Sequence, residues 1–185
     1  MSSETQAKFL ETFPTWLRAL GDDAEKVAGV VGEPATPDAA REALAGGLNY
    51  LFKSLDLIPD GIDDIGYLDD AFVLRMAAGI AADEDLANVP ADKMQDIGAL
   101  ANDCDVIKEF LGDDLNHRLL TYTQGLKRGA ARGRTVSDIL ADEGVRREFI
   151  SDVEGFARTY EAPGFAPEEK NLIKLRAFFD AKLPK

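Results

Sequence analysis

Apolar side chains recur every three or four positions along most of the chain, and no segment sustains the alternation of a β-strand. Each recurring stripe predicts a helix with one face turned towards a core. The pattern predicts an all-α protein of about seven to nine helices, in a single compact domain over residues 1–185. Four of the stripes are Phe9, Phe13, Trp16 and Leu20; Leu44, Leu48, Leu51 and Leu55; Leu68, Phe72, Met76 and Ile80; Val145, Phe149, Val153 and Phe156.

Prolines, glycines and capping residues suggest where these helices begin and end. Pro14 interrupts the first stripe, which predicts a kink or a restart of the helix at that point. Gly112 followed by Asp113 predicts the end of one helix and the start of the next. Thr135 and Asp138, three residues apart, form a capping pattern for a short helix.

Gly46 and Gly47 stand inside the predicted second helix. Each glycine lowers helix stability by about 1 kcal/mol relative to alanine. A close crossing with another helix would offset that loss, so the pair predicts tight packing there.

The strongly negative net charge disfavours some classes of binding partner. The net charge is −13 in a chain with 30 % charged and 45 % apolar residues, a composition ordinary for a folded protein. An acidic surface repels phosphate backbones and anionic lipid headgroups, so we expect no nucleic-acid partner and no peripheral membrane contact. A protein partner with a basic surface is the better expectation, while the oligomeric state stays open.

Targeting features indicate a cytoplasmic protein. The single cysteine excludes an internal disulfide. The N-terminal residues lack the basic start and apolar run of a secretory signal. The longest apolar run, residues 71–82, is too short to span a bilayer and contains Arg75.

One short stretch concentrates negative charge. Residues 54–70, hereafter the aspartate segment, read SLDLIPDGIDDIGYLDD and contain no basic residue. Their six acidic residues are Asp56, Asp60, Asp63, Asp64, Asp69 and Asp70. Two carboxylates about 4 Å apart repel by roughly 4 kcal/mol at an effective dielectric constant of 20. Such a segment either terminates helices or gathers its carboxylates around a cation.

The region from Tyr50 to Leu74 combines a tyrosine-containing helix, the run Asp-Leu-Ile-Pro-Asp, a glycine and a pair of aspartates that enter an apolar helix. The residues of this pattern are Tyr50, Asp56, Leu57, Ile58, Pro59, Asp60, Gly66, Asp69 and Asp70. In this ordered pattern the region resembles the YkvA-like family, a bacterial domain of unknown function. The resemblance implies a helical hairpin around the aspartate segment, over residues 41–80, and it implies no known activity.

This chain departs from the family pattern at several positions. Leu55 and the pair Asp63-Asp64 stand where the family often has proline, and Gly61 replaces a bulky apolar residue. The aspartate segment is therefore more acidic than is typical of the family. Residues 90–185 lie outside the resemblance and are interpreted as an additional helical elaboration.

A structural role accounts for the aspartates without any ligand. Pro59 blocks helix continuation and favours an extended Ile58. Asp56 and Asp60 would accept backbone N–H groups in turns, and Asp63 or Asp64 would cap the next helix. Asp69 and Asp70 would lie in its first turn, where the helix dipole favours negative charge. On this interpretation the segment is a rigid corner.

A cation site is the alternative interpretation. Asp56, Asp60, Asp69 and Asp70 come from both sides of the corner and would supply oxygen ligands to Mg²⁺ or Ca²⁺. Such an ion would activate water for attack on a phosphate ester. The spacing is not that of an EF-hand, and one histidine with one cysteine makes zinc a poor candidate.

The remaining chemical candidates are weaker. Residues 127–134, hereafter the basic segment, supply Lys127, Arg128, Arg132 and Arg134 as a possible docking site for an acidic partner. We interpret His117 as a surface residue, and Cys104, on an apolar stripe, as a buried structural thiol. No nucleophile and base pair is recognisable. The leading hypothesis is a non-enzymatic interaction or scaffold module, and the alternative is a metal-dependent enzyme acting on a phosphate ester.

Overall fold

The computed structural model describes residues 2–53 and 56–185, and within these ranges the protein is helical. Eight α-helices, one 3₁₀ turn and one two-stranded hairpin account for the regular structure of the described residues. The predicted all-α class is confirmed. The helices are α1 (Ser3–Val31), α2 (Asp38–Tyr50), α3 (Leu68–Ala82), α4 (Ala91–Asn102), α5 (Cys104–Gly125), α6 (Val136–Ala141), α7 (Glu143–Thr159) and α8 (Glu169–Lys182).

Helix α3 lies at the centre of the fold. It packs against α1, α2, α4 and α5, so it is buried on nearly all sides and not along a single stripe. Phe72 of α3 contacts Phe13 of α1 and Phe179 of α8, with ring centroids 5.2 Å apart in both pairs. The N-terminal and C-terminal helices therefore meet in one hydrophobic core. Within the described ranges, none of the helices is both long and apolar enough to cross a membrane.

The predicted helix boundaries have mixed outcomes. Helix α1 continues through Pro14, so the restart expected there is wrong. Proline has no backbone N–H to donate within the helix, and the burial of Phe9 and Phe13 in the core offsets that loss. Gly112 interrupts α5 with a φ of 76°, as its position before an aspartate indicated. Thr135 and Asp138 form the predicted capping box at the start of α6.

The glycine pair in α2 is explained by close approach on two sides. A Cβ atom at Gly47 would lie 2.6 Å from the Cβ of Ala77 in α3. A Cβ atom at Gly46 would lie 3.2 Å from backbone atoms of Leu126 and Lys127 in the 3₁₀ turn. The expected tight helix crossing is therefore confirmed, and α2 is fixed between α3 and the start of the basic segment.

A small hairpin places the basic segment. Strands β1 (Ala130–Ala131) and β2 (Arg134–Thr135) pair antiparallel, and both turn residues, Arg132 and Gly133, have positive φ values of 50° and 75°. The 3₁₀ turn Leu126–Arg128 joins α5 to this hairpin. Strands of two residues are too short to produce a sequence pattern, which is why the prediction omitted them.

Candidate functional site

A buried hydrogen-bond network joins the two helices that flank the aspartate segment. The hydroxyl of Tyr50 donates to Oδ2 of Asp69 at 2.6 Å. The same hydroxyl accepts the backbone N–H of Leu57 at 2.7 Å, and Asp69 Oδ2 also accepts the N–H of Ile58 at 2.9 Å. These three bonds tie the end of α2, the middle of the segment and the start of α3 to one another.

The local sequence explains how this network forms. Tyr50 is the last residue of α2, and Asp69 lies in the first turn of α3, where the helix dipole favours a negative group. Leu57 and Ile58 bury their side chains in the core, which directs their backbone N–H groups towards the network. Pro59 stays exposed and disfavours a helical Ile58. Asp69 therefore accepts a backbone N–H of the segment, a role that the structural interpretation had given to Asp56 and Asp60.

Gly66 is required by a close backbone approach. A Cβ atom at this position would lie 2.2 Å from the carbonyl oxygen of Asp60. The N–H of Gly66 donates to the carbonyl oxygen of Ile62 at 2.9 Å. The N–H of Ile62 donates in turn to the carbonyl oxygen of Pro59 at 3.0 Å. The glycine in the motif therefore allows the segment to fold back on itself before α3 begins.

The aspartates that were expected to cap α3 do not do so. Tyr67 precedes the helix with a φ of 64° and makes no side-chain cap. The carboxylate of Asp64, itself at a φ of 70°, accepts the backbone N–H of Ala166 at 2.7 Å. Asp64 therefore attaches the segment to the loop before α8, a long-range contact that local sequence patterns do not reveal. Tyr67 reinforces this attachment by packing edge-on against Tyr160, at 5.4 Å between centroids.

Asp70 lies next to Asp69, and one of its carboxylate oxygens is buried without a hydrogen-bond partner among the described residues. Asp69 is 0 % and Asp70 3 % exposed, and Asp69 Oδ1 and Asp70 Oδ2 have no hydrogen-bond partner among the described residues. Burial raises the pKa of Asp69 to about 6, although the hydrogen bonds donated by Tyr50 and Ile58 lower it in part. Burial and the charge of Asp69 raise the pKa of Asp70 well above its usual value. A proton on Asp70 relieves the repulsion between the two groups.

Asp56 and Asp60, which are less buried than Asp69 and Asp70, also have raised pKa values. Burial and the neighbouring Asp60 raise the pKa of Asp56 to about 6. In residues 2–53 and 56–185, no three side chains from histidine, cysteine, aspartate and glutamate are arranged to hold a metal ion. Asp56, Asp60, Asp69 and Asp70 thus influence one another's charge without forming a ligand set of three in this structure.

Most cations of the basic segment are engaged within the molecule. Arg134 pairs with Asp152, and Arg132 lies 3.7 Å from the same carboxylate, while its guanidinium stacks 4.2 Å from the ring centre of Phe52. Lys127 lies 3.5 Å from Glu42. Among the described residues, Arg128 alone of the four predicted docking cations lacks an ion pair, and its side chain is exposed.

His117 lies on the surface as predicted, whereas Cys104 is half-buried and not fully buried. The Sγ of Cys104 donates to the carbonyl of Arg75 at 3.3 Å. Burial raises the pKa of this thiol to about 11, so it is protonated and a poor nucleophile at neutral pH. His117 is exposed on α5.

Arg75 is a central residue that the sequence analysis passed over. Its side chain is buried in α3, where Nη2 donates to Asp23 at 3.0 Å and Nε donates to Asp103 at 2.8 Å. The guanidinium also lies 4.3 Å from the ring centre of Trp16. A lone arginine inside an apolar helix was the available signal, because such a charge is stable only when it is paired.

Comparison with known proteins finds a partial match to one family model. A model described as "Protein of unknown function (DUF1232)" matches residues 40–75, about a fifth of the chain. The match covers α2, the aspartate segment and the first half of α3, including Tyr50, Gly66 and Asp69. No curated protein and no solved structure matches the chain. Over these residues the chain is therefore similar to a family of unknown function, while its assignment as YkvA-like stays a prediction.

Proposed function

We propose that this chain is a non-enzymatic interaction module with a YkvA-like segment as its scaffold. The observation that carries this proposal is the engagement of Asp69, whose Oδ2 accepts from both Tyr50 and Ile58. A carboxylate that is fully buried and bound by two donors holds the backbone in place and cannot contact a substrate. The absence of a nucleophile paired with a base in the sequence supports the same conclusion.

The surface we assign to a partner is the outer side of the aspartate segment. Pro59, Asp60, Gly61 and Asp63 are exposed there, and we call these four residues the acidic rim. The network beneath it fixes the backbone, so binding incurs little ordering cost. Two carboxylates on a rigid turn favour a segment of protein rich in lysine and arginine, and the net charge of −13 attracts such a segment from solution.

A titration with a defined basic peptide tests this proposal. We would add an octapeptide of alternating lysine and arginine to ¹⁵N-labelled protein and follow backbone amide shifts at low salt. The largest shifts are expected in residues 56–67. Reversing the charge at Asp60 and Asp63 with Asp60→Lys and Asp63→Lys should abolish them.

The matched control is the same charge reversal on another exposed acidic pair. Asp113 and Asp114 are exposed at the Gly112 break, so Asp113→Lys with Asp114→Lys changes the net charge equally. That variant should retain binding at the acidic rim. Equal loss of binding in both variants, or shifts spread evenly over all acidic surfaces, would contradict the proposal.

A metal-dependent enzyme acting on a phosphate ester is the second candidate. The observation that favours it is the pair of buried oxygens without partners, Asp69 Oδ1 and Asp70 Oδ2. A divalent ion would satisfy both and remove their repulsion. This candidate predicts Mg²⁺-dependent hydrolysis of p-nitrophenyl phosphate that Asp69→Asn and Asp70→Asn abolish. Equal rates in these variants and the unmodified protein would eliminate it.

A further inference from the structure

A cavity beside α5 differs in charge from the rest of this acidic protein. It measures about 490 Å³ and lies between the second half of α5, the 3₁₀ turn and the C-terminal residues. Lys53, His117, Arg118 and Arg128 line it, and no aspartate or glutamate side chain is among its described lining residues. By contrast, a cavity of about 570 Å³ on the other side of α5 has Asp83 among three acidic lining residues.

Lys53 supplies a desolvated positive charge to this cavity. Its Nζ lies 5.7 Å from the ring centre of Tyr50 and 5.5 Å from that of Tyr122, so two aromatic faces partly replace water around it. Burial lowers the pKa of this ammonium, and the charge of Asp56 raises it in part. Lys53 nevertheless forms no ion pair within the described residues, so an anion in the cavity would offset the loss of water.

The two arginines have different roles in the cavity. Arg118 donates to the carbonyl oxygens of Leu183 and Pro184 and to the carboxylate of Asp180. These bonds hold the last residues of the chain as one wall, and they leave Arg118 little capacity for a ligand. Arg128 is exposed and free of ion pairs in the part of the chain described, so its guanidinium is available at the rim.

Apolar residues form another part of the lining, alongside the polar Thr121 and the charged Lys185. Tyr122 presents a ring, and Leu126 and Pro184 add aliphatic surface. Gly125 also lines the cavity, and a Cβ atom built there meets no atom within 4 Å. A cavity lined by Lys53 and Arg128 as well as by apolar side chains suits a ligand with an anionic head and an apolar body.

We infer that this cavity binds a small organic phosphate monoester, with the phosphate between Lys53 and Arg128 and the apolar body against Tyr122 and Leu126. Phosphate is preferred over carboxylate because a dianion is attracted by both cations, and Arg128 can donate two parallel hydrogen bonds to it. His117 and the Thr121 hydroxyl at the cavity edge are further donors. The inference does not depend on the acidic rim or on a role for the aspartate segment.

The test uses phenyl phosphate as the probe, with binding measured by calorimetry and by amide shifts. Binding should saturate, with shifts concentrated at residues 117–129, and it should weaken as salt is raised. Lys53→Gln and Arg128→Gln should each raise Kd by about tenfold, the effect of losing one charged hydrogen bond. Gly125→Phe should fill the cavity and abolish binding, since its helical backbone and open surroundings accept a larger side chain.

Matched controls keep the inference falsifiable. Lys174→Gln, Arg158→Gln and Gly98→Phe make the same changes at exposed or open helical positions outside the cavity and should leave Kd unchanged. Phenol and inorganic phosphate should each bind more weakly than phenyl phosphate. Absence of saturable binding to the unmodified protein overturns the inference. So does a Kd unaltered by Gly125→Phe and Lys53→Gln, or tighter binding of benzoate, phenol or inorganic phosphate.

Discussion

Replacing Tyr50 with phenylalanine isolates the hydroxyl at the centre of the buried network. Tyr50→Phe keeps the ring in its fully buried position. It removes the bond donated to Asp69 and leaves the N–H of Leu57 without its acceptor. Both groups are shielded from water, so each loss carries a desolvation penalty.

The size of the effect follows from these two bonds. A hydrogen bond to a charged group contributes about 1.5–3 kcal/mol, and a buried N–H without a partner costs about 1–3 kcal/mol. We therefore expect Tyr50→Phe to lower the free energy of unfolding by roughly 3–5 kcal/mol. Urea denaturation followed by far-UV circular dichroism measures this change, provided that the m-value stays constant.

Tyr160→Phe is the matched comparison. The Tyr160 hydroxyl donates one neutral hydrogen bond, to the carbonyl of Leu17 at 2.8 Å, from a partly buried position. Its removal should cost about 1 kcal/mol. If Tyr50→Phe destabilises the protein no more than Tyr160→Phe does, the network is not the structural element that we describe.

Four further variants extend the test to other parts of the fold. Gly66→Ala should lower the free energy of unfolding by roughly 2–4 kcal/mol, because the added Cβ atom would collide with the backbone of Asp60. Gly61→Ala is the control in the same segment: its Cβ atom enters open space, so it should change the free energy by less than about 1 kcal/mol. Urea denaturation measures both. Arg75→Met should cost roughly 3–5 kcal/mol by leaving Asp23 buried without its cation, and an unaltered melting temperature would contradict this. The raised pKa of Asp70 means that the folded protein binds a proton that the unfolded chain releases above about pH 4, so stability should fall as pH rises from 5 to 7.5. Asp70→Asn should flatten that dependence and be more stable than the unmodified protein at pH 7.5; an equally steep profile would show that Asp70 is not responsible.

Local patterns in the sequence predicted the helices well, because helix periodicity and capping depend on neighbouring residues. The Gly112 break and the capping box at Thr135 are examples. Pro14 was misjudged because tertiary packing outweighs the local cost of proline inside α1. Leu44 and Leu48 lie in α2 as expected, Leu51 follows the last residue of that helix, and Leu55 lies outside the described residues.

The site was only partly predictable, since its contacts join residues far apart in the chain. Asp69 was expected at the first turn of α3, where it lies, but nothing local indicates that its partner is the hydroxyl of Tyr50. Asp64 contacts Ala166 across about a hundred residues, which no spacing rule anticipates. Arg75 needed two acidic partners from other helices before its position in an apolar helix made physical sense.

Thermal unfolding in the presence of divalent ions tests most directly whether the aspartate segment serves structure. The unmodified protein, Asp69→Asn and Asp70→Asn would each be melted with and without millimolar Mg²⁺, Mn²⁺ or Ca²⁺ at constant ionic strength. Our account predicts that no ion raises the melting temperature of the unmodified protein, because Asp69 is engaged by Tyr50 and Ile58 and the described residues hold no set of three ligands. A rise that Asp69→Asn and Asp70→Asn abolish would contradict it and establish a cation site.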